Sequence, residues 1–480
     1  MKDMSVVNAP RRWIDGYDSF AVWGIASSGV AAANLLARHG KRVCISDPRS
    51  REVLSTHLEQ LHEDVEVHCG ANTFGDAQVV VTSPGLPPRL ALFQEAADKS
   101  IPVISEIELA FDAAVAPFVC ITGTDGKTTT TSLIGAILDR AGLEHVVAGN
   151  IGIPLCDVVE DISADGFIVA EVSAFQLWTT HHFHPLMACF TNLAGDHLDY
   201  FEGDFEAYGH AKKMLIQNMD PAHDRLWVNG EDHTSAIWSE QFGKRAGVFV
   251  LGRERLLDAL TDHVGPLSII DEGKMLYLPE GVSASSADGI VLVEDISTLS
   301  LHGRHNQKNM LCAASMCFEL GIAPEVIQDT MREFKGLPHR FEEVCFKDGV
   351  RFIDDSKATN AHAALAGLSG VDFESLVVIT GGVDKGLDLS DFAAFLSSSC
   401  AHIVTLGQLA QRLEDELVAQ GYEVNKIRRV ESMEEAVKVA YELAKPTQAA
   451  VVLSPASSSF DMFKSYAHRG EVFQAAVHAL

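Results

Sequence analysis

Residues 117–129 read PFVCITGTDGKTT, an apolar, β-rich run that leads directly into a glycine loop. The run predicts a buried strand, and the SLIGAILDRAG segment beyond the loop has the periodicity of a helix. Glycines allow backbone N–H groups to approach phosphates, Lys127 can reach the terminal phosphates, and Thr128 can ligate Mg²⁺. The segment therefore predicts a site for a nucleoside triphosphate. The loop is a shortened form of G-x-x-x-x-G-K-[ST], because the first glycine of that pattern would fall on Ile121.

The N-terminal region predicts a βαβ unit. FAVWG (20–24) indicates a buried strand, a helical pattern runs to Arg38, and the strand RVCIS ends at Asp47. The turn GIASSG (24–29) departs from GxGxxG, so two interpretations stay open: a phosphate-type turn with Asp47 as a ribose-binding acid, or a tight turn in a flavodoxin-like sheet. A further strand, QVVVTS, ends in Ser83-Pro84-Gly85, and ligands in open parallel sheets bind outside such strand ends.

The pattern of strands and helices predicts three α/β domains, at residues 1–110, 111–335 and 336–480. A chain of 480 residues is too long for one hydrophobic core. FIVAEVS and MACFTNL continue the strand pattern of the middle domain, and Gly336-Leu337-Pro338 then interrupts regular structure. Beyond it VRFIDDS, LVVITGG, HIVTLG and AAVVLSPAS are apolar runs separated by helical stretches, as in a doubly wound sheet.

Composition excludes several classes of protein. The formal net charge of −29 argues against nucleic-acid binding and against attraction to an anionic membrane. The sequence contains no run of about 18 apolar residues that would predict a membrane-spanning helix. Its start, MKDMSVVNAPRRW, lacks the apolar core of a signal peptide. The nine cysteines include no CxxC pair, so we expect reduced, mostly buried thiols. These features predict a globular, cytoplasmic enzyme, and we expect a monomer.

The glycine loop resembles that of the Mur ligase and folylpolyglutamate synthetase superfamily, and eight further segments resemble the same superfamily. In chain order they are Gly149-Asn150-Ile151-Gly152, Glu171-Val-Ser173-Ala-Phe-Gln176, Asp196-His197-Leu-Asp199, Ala211-Lys212, His305-Asn306-Gln-Lys-Asn309, Gly336-Leu-Pro-His339-Arg340-Phe-Glu342, Asp355-Ser356-Lys357-Ala-Thr359-Asn360 and Leu453-Ser-Pro-Ala-Ser-Ser-Ser459. GLPHRFE and DSKATN are more similar to the D-glutamate-adding branch of the family than to the branches that add L-alanine, a diamino acid or a dipeptide.

The resemblance implies an α/β fold with the three-domain Mur ligase architecture. Its parts are an N-terminal Rossmann-like UDP-binding domain, a central P-loop ATPase-type domain and a C-terminal Rossmann-like domain that binds the amino acid. The implied activity is ATP-dependent addition of D-glutamate to UDP-N-acetylmuramoyl-L-alanine through an acyl phosphate, releasing ADP and phosphate, in peptidoglycan precursor synthesis. The implied catalytic residues are Lys127, Glu171, His197, Lys212 and Arg340.

Two Mg²⁺ ions are implied beside ATP. Glu171, at the end of an apolar strand, would hold the ion that bridges the phosphates, although a strand-end carboxylate could instead cap the next helix. His197 and Lys212 would serve the second ion. A cationic lysine cannot ligate Mg²⁺, and the resemblance implies that Lys212 is carbamylated; a lysine paired with a neighbouring acid is the alternative. The implied metal ligands are Thr128, Glu171, His197 and Lys212.

The resemblance also assigns residues to the three substrates. Those for ATP are Gly123, Thr124, Asp125, Gly126, Lys127, Thr128, Thr129, Asn306, Asn309, Arg340 and Asp355. Those for the UDP-substrate are Ser28, Asp47, Arg49, Gly85, Asn150, Ser173, Gln176 and His197. Those for the amino acid are Lys357, Thr359, Lys385, Ser459 and Tyr466. Two cations with hydroxyls suit a dicarboxylate, although Ser459 could instead be a loop residue that caps a helix.

The sequence departs from the family pattern at three places. Val383-Asp384 precedes Lys385 where Asp-Gly is frequent, Tyr466 stands where Phe is common, and Pro48 replaces a hydroxyl residue.

The histidine-rich segment His181-His182-Phe-His184 could suggest a metal site. It has no acid or cysteine at ligand spacing, so we interpret it as a solvated loop and not as a metal site.

Two rival functions remain. One is another ligase of the superfamily, adding L-alanine, L-glutamate or a folate glutamyl tail. The other is a P-loop module that uses ATP only as a conformational switch. A switch does not need the DSKATN and LSPASSS segments, which favours the ligase.

Overall fold

The computed structural model describes residues 12–194, 200–201, 203–255, 263–282, 289–301, 303–369, 375–384, 386 and 388–480. Three sheets follow one another along the chain, of five, nine and six strands. The chain forms two compact units, the first of residues 1–299 with 308–334 and the second of residues 300–307 with 335–480. Over the described ranges, no helix has the length and apolar character needed to cross a bilayer.

The first sheet has five parallel strands in the order β3-β2-β1-β4-β5. The strands are β1 (Ser19–Trp23), β2 (Arg42–Asp47), β3 (Glu66–Cys69), β4 (Val79–Thr82) and β5 (Val103–Ser105), and the helices are α1 (Ser27–Arg38), α2 (Ser55–Leu58), α3 (Ala91–Asp98) and α4 (Glu106–Ala113). Because the order reverses beside β1, the turns after β1, β2 and β4 meet at the carboxyl edge of the sheet, where ligands bind in such folds.

The second sheet has nine strands in the order β14-β13-β12-β11-β10-β9-β6-β8-β7. The strands are β6 (Phe118–Thr122), β7 (His145–Gly149), β8 (Phe167–Glu171), β9 (Met187–Phe190), β10 (Arg225–Asn229), β11 (Ala246–Val250), β12 (Leu267–Asp271), β13 (Lys274–Leu278) and β14 (Ile290–Val293). The helices are α5 (Lys127–Ala141), α6 (Ala174–Leu177), α7 (Phe205–Lys213), α8 (His233–Trp238), α9 (Arg304–Glu319) and α10 (Pro324–Glu333). The strands are parallel except for the antiparallel β12-β13-β14 meander at one edge.

The third sheet has six strands in the order β15-β16-β20-β17-β18-β19, parallel except for β15. The strands are β15 (Glu342–Lys347), β16 (Val350–Asp354), β17 (Leu376–Gly381), β18 (His402–Leu406), β19 (Ile427–Arg429) and β20 (Ala450–Leu453). The helices are α11 (Ala361–Ser369), α12 (Ser390–Ser399), α13 (Ala410–Ala419), α14 (Met433–Ala444) and α15 (Tyr466–His478).

Hydrophobic packing joins the first two sheets and fills both faces of the third. One core cluster contains buried side chains of both of the first two sheets, such as Phe20 and Phe118. In the second unit, one cluster lies around Phe352 and another around Phe392. Parallel strands covered on both faces read as continuous apolar runs, which is why the sequence revealed them. All nine cysteines are free, and seven are buried, as their composition predicted.

The apolar runs quoted from the sequence form strands β1, β2, β4, β6, β8, β9, β16, β17, β18 and β20. The third sheet also contains β15 and β19, which the sequence did not reveal. Both are edge strands, and EEVCFK and IRR carry too few apolar residues for a buried run. The expected doubly wound α/β sheet is confirmed, and it carries one antiparallel edge strand, since β15 pairs antiparallel with β16.

Candidate active site

The glycine loop joins the end of β6 to the start of α5 and has a backbone that only glycine can adopt at two places. Gly123 and Gly126 have φ of 144° and 81°. A Cβ atom would overlap Thr191 Oγ1 at the first position and Asn309 Oδ1 at the second. Close approach of neighbouring side chains therefore requires both glycines, and the N-terminus of α5, where the first N–H groups have no acceptor within the helix, follows directly.

Neighbouring side chains hold the loop in this shape. Asn192 Oδ1 accepts hydrogen bonds from the N–H groups of Thr124 (3.0 Å) and Asp125 (2.9 Å). Thr191 Oγ1 donates to the Asp125 carbonyl at 2.5 Å, and the hydroxyls of Thr124 and Tyr208 lie 3.1 Å apart. Asn192 and Tyr208 belong to none of the residues that the sequence motifs predicted for the site. Their signal was the polar end of the MACFTN run and the helical spacing of Tyr208 four residues before Lys212.

Lys127 and Lys212 both contact carbonyl groups of the loop. Lys127 Nζ donates to the carbonyls of Gly123 (3.0 Å) and Thr124 (2.8 Å). Lys212, 2% exposed on α7, donates from Nζ to the Gly123 carbonyl at 2.7 Å and lies 4.7 Å from the ring centroid of Tyr208. The two lysines therefore meet at one carbonyl, although 85 residues separate them in the chain. Thr128, half-buried, and Thr129, buried, follow Lys127 in the first turn of α5.

Glu171 ends β8, the strand beside β6, and lies opposite Ile121 in the register. It is 1% exposed; Oε1 accepts from Asn150 Nδ2 at 2.8 Å, and Oε2 has no hydrogen-bond partner among the described residues. An unpaired buried carboxylate oxygen is costly, and a bound cation would remove that cost. The alternative role, capping the next helix, is wrong, because Ser173 caps α6.

Ser173 and Gln176, both expected at the UDP-substrate, form a capping box at α6. The Ser173 N–H and hydroxyl donate to Gln176 Oε1 at 3.0 and 2.9 Å. Both side chains are buried, and Asn150 is exposed one residue after β7. The structure therefore gives the pair a local structural role beside the expected one. His197, together with Asp196 and Asp199, lies outside the described residues.

At the carboxyl edge of the first sheet, Asp47 forms a hydrogen-bonded ion pair with Arg49. Asp47 accepts from the Arg49 N–H (2.9 Å), Nε (2.8 Å) and Nη2 (2.7 Å), and from the Ile25 N–H at 2.8 Å. Burial by itself raises the pKa of Asp47, but the Arg49 and Ile25 hydrogen bonds outweigh it and hold that pKa at about 2. Half of the Arg49 side chain is exposed, so the pair presents a fixed guanidinium. Ser28 is half-buried in the first turn of α1, and Gly85 is exposed after β4.

The residues expected at the amino acid gather at the carboxyl edge of the third sheet. Lys357 Nζ lies 3.8 Å above the ring centroid of Tyr466, the first residue of α15. Ser459 is buried and its carbonyl accepts from the Phe463 N–H at 2.8 Å, so it begins a turn. Thr359 is half-buried two residues after Lys357. Lys385 lies outside the described residues.

Asp355 and Arg340 are the expected ATP contacts of the second compact unit. Ser454 Oγ donates to Asp355 Oδ2 at 3.1 Å. Burial raises the pKa of Asp355 to about 8, against the lowering effects of the Ser454 hydrogen bond and the Arg340 charge. Asn306 is half-buried in the first turn of α9, and Asn309, one turn further on, is buried beside Gly126.

A histidine and two acids after Gly336-Leu337-Pro338 form a compact polar group that the sequence analysis missed. One ligand atom from each of His339, Glu342 and Asp354 lies within 4.8 Å of the others. His339 Nδ1 is 2.7 Å from Asp354 Oδ2, and Gln474 Nε2 donates to Glu342 (3.0 Å) and Asp354 (2.9 Å). Hydrogen bonds within the protein satisfy the group, which braces the chain at His339, where φ is 63°.

The histidine-rich loop has exposed side chains, as expected of a solvated loop, but its backbone is anchored. The N–H groups of His181, His182 and Phe183 donate to the buried carboxylate of Glu108 at 2.8 and 2.9 Å. His184 Nε2 lies 2.5 Å from Asp224 Oδ2, which raises the pKa of His184 through that hydrogen bond. The segment thus ties α4 to the middle sheet.

A parallel sheet with a glycine loop after one strand, a buried acid on the next and two lysines on the loop carbonyls defines a P-loop nucleotide-binding protein. The sequence matches three family descriptions in chain order: Mur ligase MurD-like, N-terminal domain (18–105), Mur ligase middle domain (121–317) and Mur ligase, glutamate ligase domain (339–457). The chain therefore belongs to the Mur ligase family and has its three-domain α/β architecture.

Curated relatives match over nearly the whole chain. The UDP-N-acetylmuramoylalanine--D-glutamate ligase of Caldanaerobacter subterraneus subsp. tengcongensis is 34% identical over 461 residues, 95% of this chain and 97% of the relative. The ligase of the same name from Salinibacter ruber is 37% identical over 476 residues, 96% of this chain and 97% of the relative.

Solved structures show the same fold. The UDP-N-acetylmuramate-alanine ligase of Thermotoga maritima gives a TM-score of 0.56 at 17% identity, covering 96% of this chain and 99% of that one. A pseudomurein peptide ligase type C from Methanothermus fervidus gives 0.57 at 19% identity, covering 95% and 99%.

Proposed function

We propose that this chain adds D-glutamate to UDP-N-acetylmuramoyl-L-alanine at the expense of ATP, releasing ADP and phosphate, as a step of peptidoglycan precursor synthesis. The observation that carries the proposal is the buried Glu171 carboxylate, one oxygen of which has no hydrogen-bond partner among the described residues, on the strand next to the one that leads into a glycine loop whose carbonyls contact Lys127 and Lys212. The similarity to D-glutamate ligases over 95% of the chain supports the choice of substrates.

ATP binds at the loop between β6 and α5. The N–H groups at the α5 N-terminus receive the phosphates, with Gly123, Thr124, Asp125, Gly126, Lys127, Thr128 and Thr129 as the contact residues. Lys127 exchanges its carbonyl partners for the terminal phosphates, and Asn306, Asn309, Arg340 and Asp355 are further residues that we assign to ATP. Bound Mg²⁺ would supply charge neutralisation at the phosphates, and the residues to hold two such ions are Thr128, Glu171, His197 and Lys212.

Lys212 acts as a carbamate in this proposal. A carbamate keeps one N–H group, so Nζ could still donate to the Gly123 carbonyl, 2.7 Å away, and the two carbamate oxygens would be hard anionic ligands. The unmodified ammonium at the same place would repel a cation. The structure thus offers a reason for the modification, namely that Nζ is fixed against the loop that carries the phosphates.

The reaction needs no protein nucleophile. The alanyl carboxylate attacks the γ-phosphate of ATP, and Lys127 and Arg340 neutralise the transferring phosphoryl group. The acyl phosphate that forms is then attacked by the neutral amine of D-glutamate, and the tetrahedral intermediate collapses to amide and phosphate. His197 is a candidate to accept the ammonium proton.

The remaining assignments complete the proposal. Ser28, Asp47, Arg49, Gly85, Asn150, Ser173, Gln176 and His197 hold the UDP-substrate, and Lys357, Thr359, Lys385, Ser459 and Tyr466 hold D-glutamate. We place the domain boundaries near residues 110 and 335. The protein acts as a monomer in the cytoplasm, and it binds no nucleic acid.

Mass spectrometry of the product tests the function directly. The chain is incubated with ATP, UDP-N-acetylmuramoyl-L-alanine and either D- or L-glutamate, with heat-denatured protein as the control. The expected product carries one D-glutamyl residue and appears with one equivalent each of ADP and phosphate. A product from L-glutamate or from folate in place of these substrates would assign the chain to another branch of the superfamily, and ATP turnover without an amide product would indicate a switch.

A further inference from the structure

Arg469, in the first turns of α15, is among the largest buried side chains, at 2% exposure. Its guanidinium donates to three separate segments. Nε donates to the Ser356 hydroxyl (3.0 Å) and Nη2 to the Ser356 carbonyl (2.9 Å). Nη1 donates to the carbonyls of Ser457 (3.0 Å) and Gly381 (3.5 Å). One side chain therefore ties together loops at the carboxyl ends of β16, β20 and β17, which neighbour one another in the sheet.

The loops rest directly on this guanidinium. A Cβ atom at Gly382 would lie 3.2 Å from Arg469 Nη1 and would overlap the Ser458 carbonyl. Ser356 Oγ in turn donates to the Tyr466 carbonyl at 2.8 Å, which fixes the start of α15. A movement of Arg469 would therefore displace the backbone of these loops.

The positive charge of Arg469 has no carboxylate counterion within 4.0 Å among the residues that the structure describes. Burial lowers the pKa of Arg469 to about 10, and the more distant Asp461, Asp354 and Asp355 oppose that shift, so the group remains a cation at neutral pH. These acids are engaged elsewhere: Asp354 is shared with His339, and Asp461 Oδ2 accepts from the Gln408 N–H at 3.1 Å. A buried charge without a counterion is costly, and such groups occur where function needs them.

The three tied loops carry the residues proposed to hold the amino acid. Ser356 precedes Lys357, Ser457 lies two residues before Ser459, and Gly381 opens the segment that ends at Lys385. We propose that Arg469 is a positioning residue for the amino-acid substrate: it sets the geometry of these loops and supplies a buried positive charge beneath them that favours a bound dicarboxylate. The inference rests on the proposed function and extends it to a residue that does not touch the substrate.

Steady-state kinetics of two variants tests the inference. Arg469→Met removes the charge and the donors, and Arg469→Lys keeps the charge but cannot tie three loops. The control is Arg351→Met, which removes an exposed arginine of β16 in the same sheet. We expect Arg469→Met to raise KM for D-glutamate by about tenfold or more, with KM for ATP and for the UDP-substrate within about twofold of wild type. Arg469→Lys should be intermediate, and the control unchanged.

Equal changes in all three KM values, or a lower melting temperature with an unchanged KM for D-glutamate, would overturn the inference and leave a purely structural role. If Arg469→Met does not fold, Arg469→Lys decides by the same comparison. Wild-type protein that does not ligate D-glutamate would instead contradict the proposed function, so the two failures are distinguishable. Thermal protection by D-glutamate gives a second readout: it should weaken in both variants and persist in the control.

Discussion

The glycine loop of the middle sheet and the three loops of the third sheet that Arg469 ties together are both proposed to bind an anion, and they are built in opposite ways. The glycine loop is one continuous segment held by neutral side chains, Asn192, Thr191 and Tyr208, with Lys127 and Lys212 on its carbonyls. The amino-acid loops are three distant segments tied by a single buried cation, Arg469.

The two regions differ in where the positive charge lies relative to the proposed substrate. In the proposed function, phosphates are received by backbone N–H groups and by Lys127, which exchanges its carbonyl partners for them, so this positive charge moves to the substrate. In the third sheet the positive charge of Arg469 is fixed below the loops and does not contact the substrate in the proposal. Substitutions at the glycine loop should therefore damage phosphoryl transfer, whereas substitutions at Arg469 should damage the affinity for one substrate.

The largest effect is expected from Lys127→Ala. Loss of the cation that reaches the terminal phosphates should lower kcat on the order of 10³-fold, because charge on the transferring group is no longer neutralised. Coupled assay of ADP release measures it, with the exposed Lys274→Ala on β13 as control. If only the KM for D-glutamate rose, the expected difference between substitutions at the glycine loop and at Arg469 would be contradicted.

Lys212→Ala should have the next largest effect and lower kcat about 10²-fold. Millimolar short-chain carboxylates, which replace the carbamate oxygens, should partly restore kcat. The adjacent, exposed Lys213→Ala is the matched control and should retain activity without a response to carboxylates. If circular dichroism shows an intact fold and formate or acetate restores nothing, the carbamate is excluded.

Glu171→Gln tests the charge of this side chain separately from its shape. The variant keeps the side-chain shape and the hydrogen bond from Asn150 but removes the negative charge. The Mg²⁺ concentration for half-maximal activity should rise about tenfold or more, since an amide is a poorer ligand than a carboxylate. Titration of phosphate release with MgCl₂ measures it, and Glu95→Gln on α3 serves as control. An unchanged Mg²⁺ requirement would remove Glu171 from the metal site.

Asp47→Asn should have the smallest effect. It compares Arg49, which has a carboxylate counterion, with Arg469, which has none within 4.0 Å in the part of the chain that the structure describes. The folded-state pKa of about 2 lies below the ordinary 3.8. The pair therefore stabilises the fold above about pH 4, and this contribution is lost as the pH falls toward 2. Because Arg49 is half-exposed, we expect the variant to lose about 1–2 kcal/mol at pH 7. Urea unfolding at pH 7 and 4.5 should give equal losses at both pH values, and a loss confined to pH 7 would contradict the assignment.

Ten of the twenty strands that the structure describes could be predicted, because strands buried on both faces are continuous apolar runs. The edge strands β15 and β19 could not, since a strand packed on one side carries little apolar signal. In the site, Lys127 follows from its place directly after the glycine loop, and Glu171 follows from its place at the end of an apolar strand. Asn192, Tyr208 and Arg469 do not, because a polar residue acquires its role only from partners distant in the chain.

The sequence by itself determined the glycine loop, its strand and helix, and the α/β pattern on either side, because local spacing and backbone conformation specify them. Only the tertiary structure decided that Lys212 donates to the same carbonyl as Lys127 and that Arg469 is buried beneath three loops. It also decided that, among the described residues, one oxygen of Glu171 has no hydrogen-bond partner and Arg469 has no carboxylate within 4.0 Å. Burial and electrostatic pairing depend on residues that folding brings together, so no linear pattern contains them.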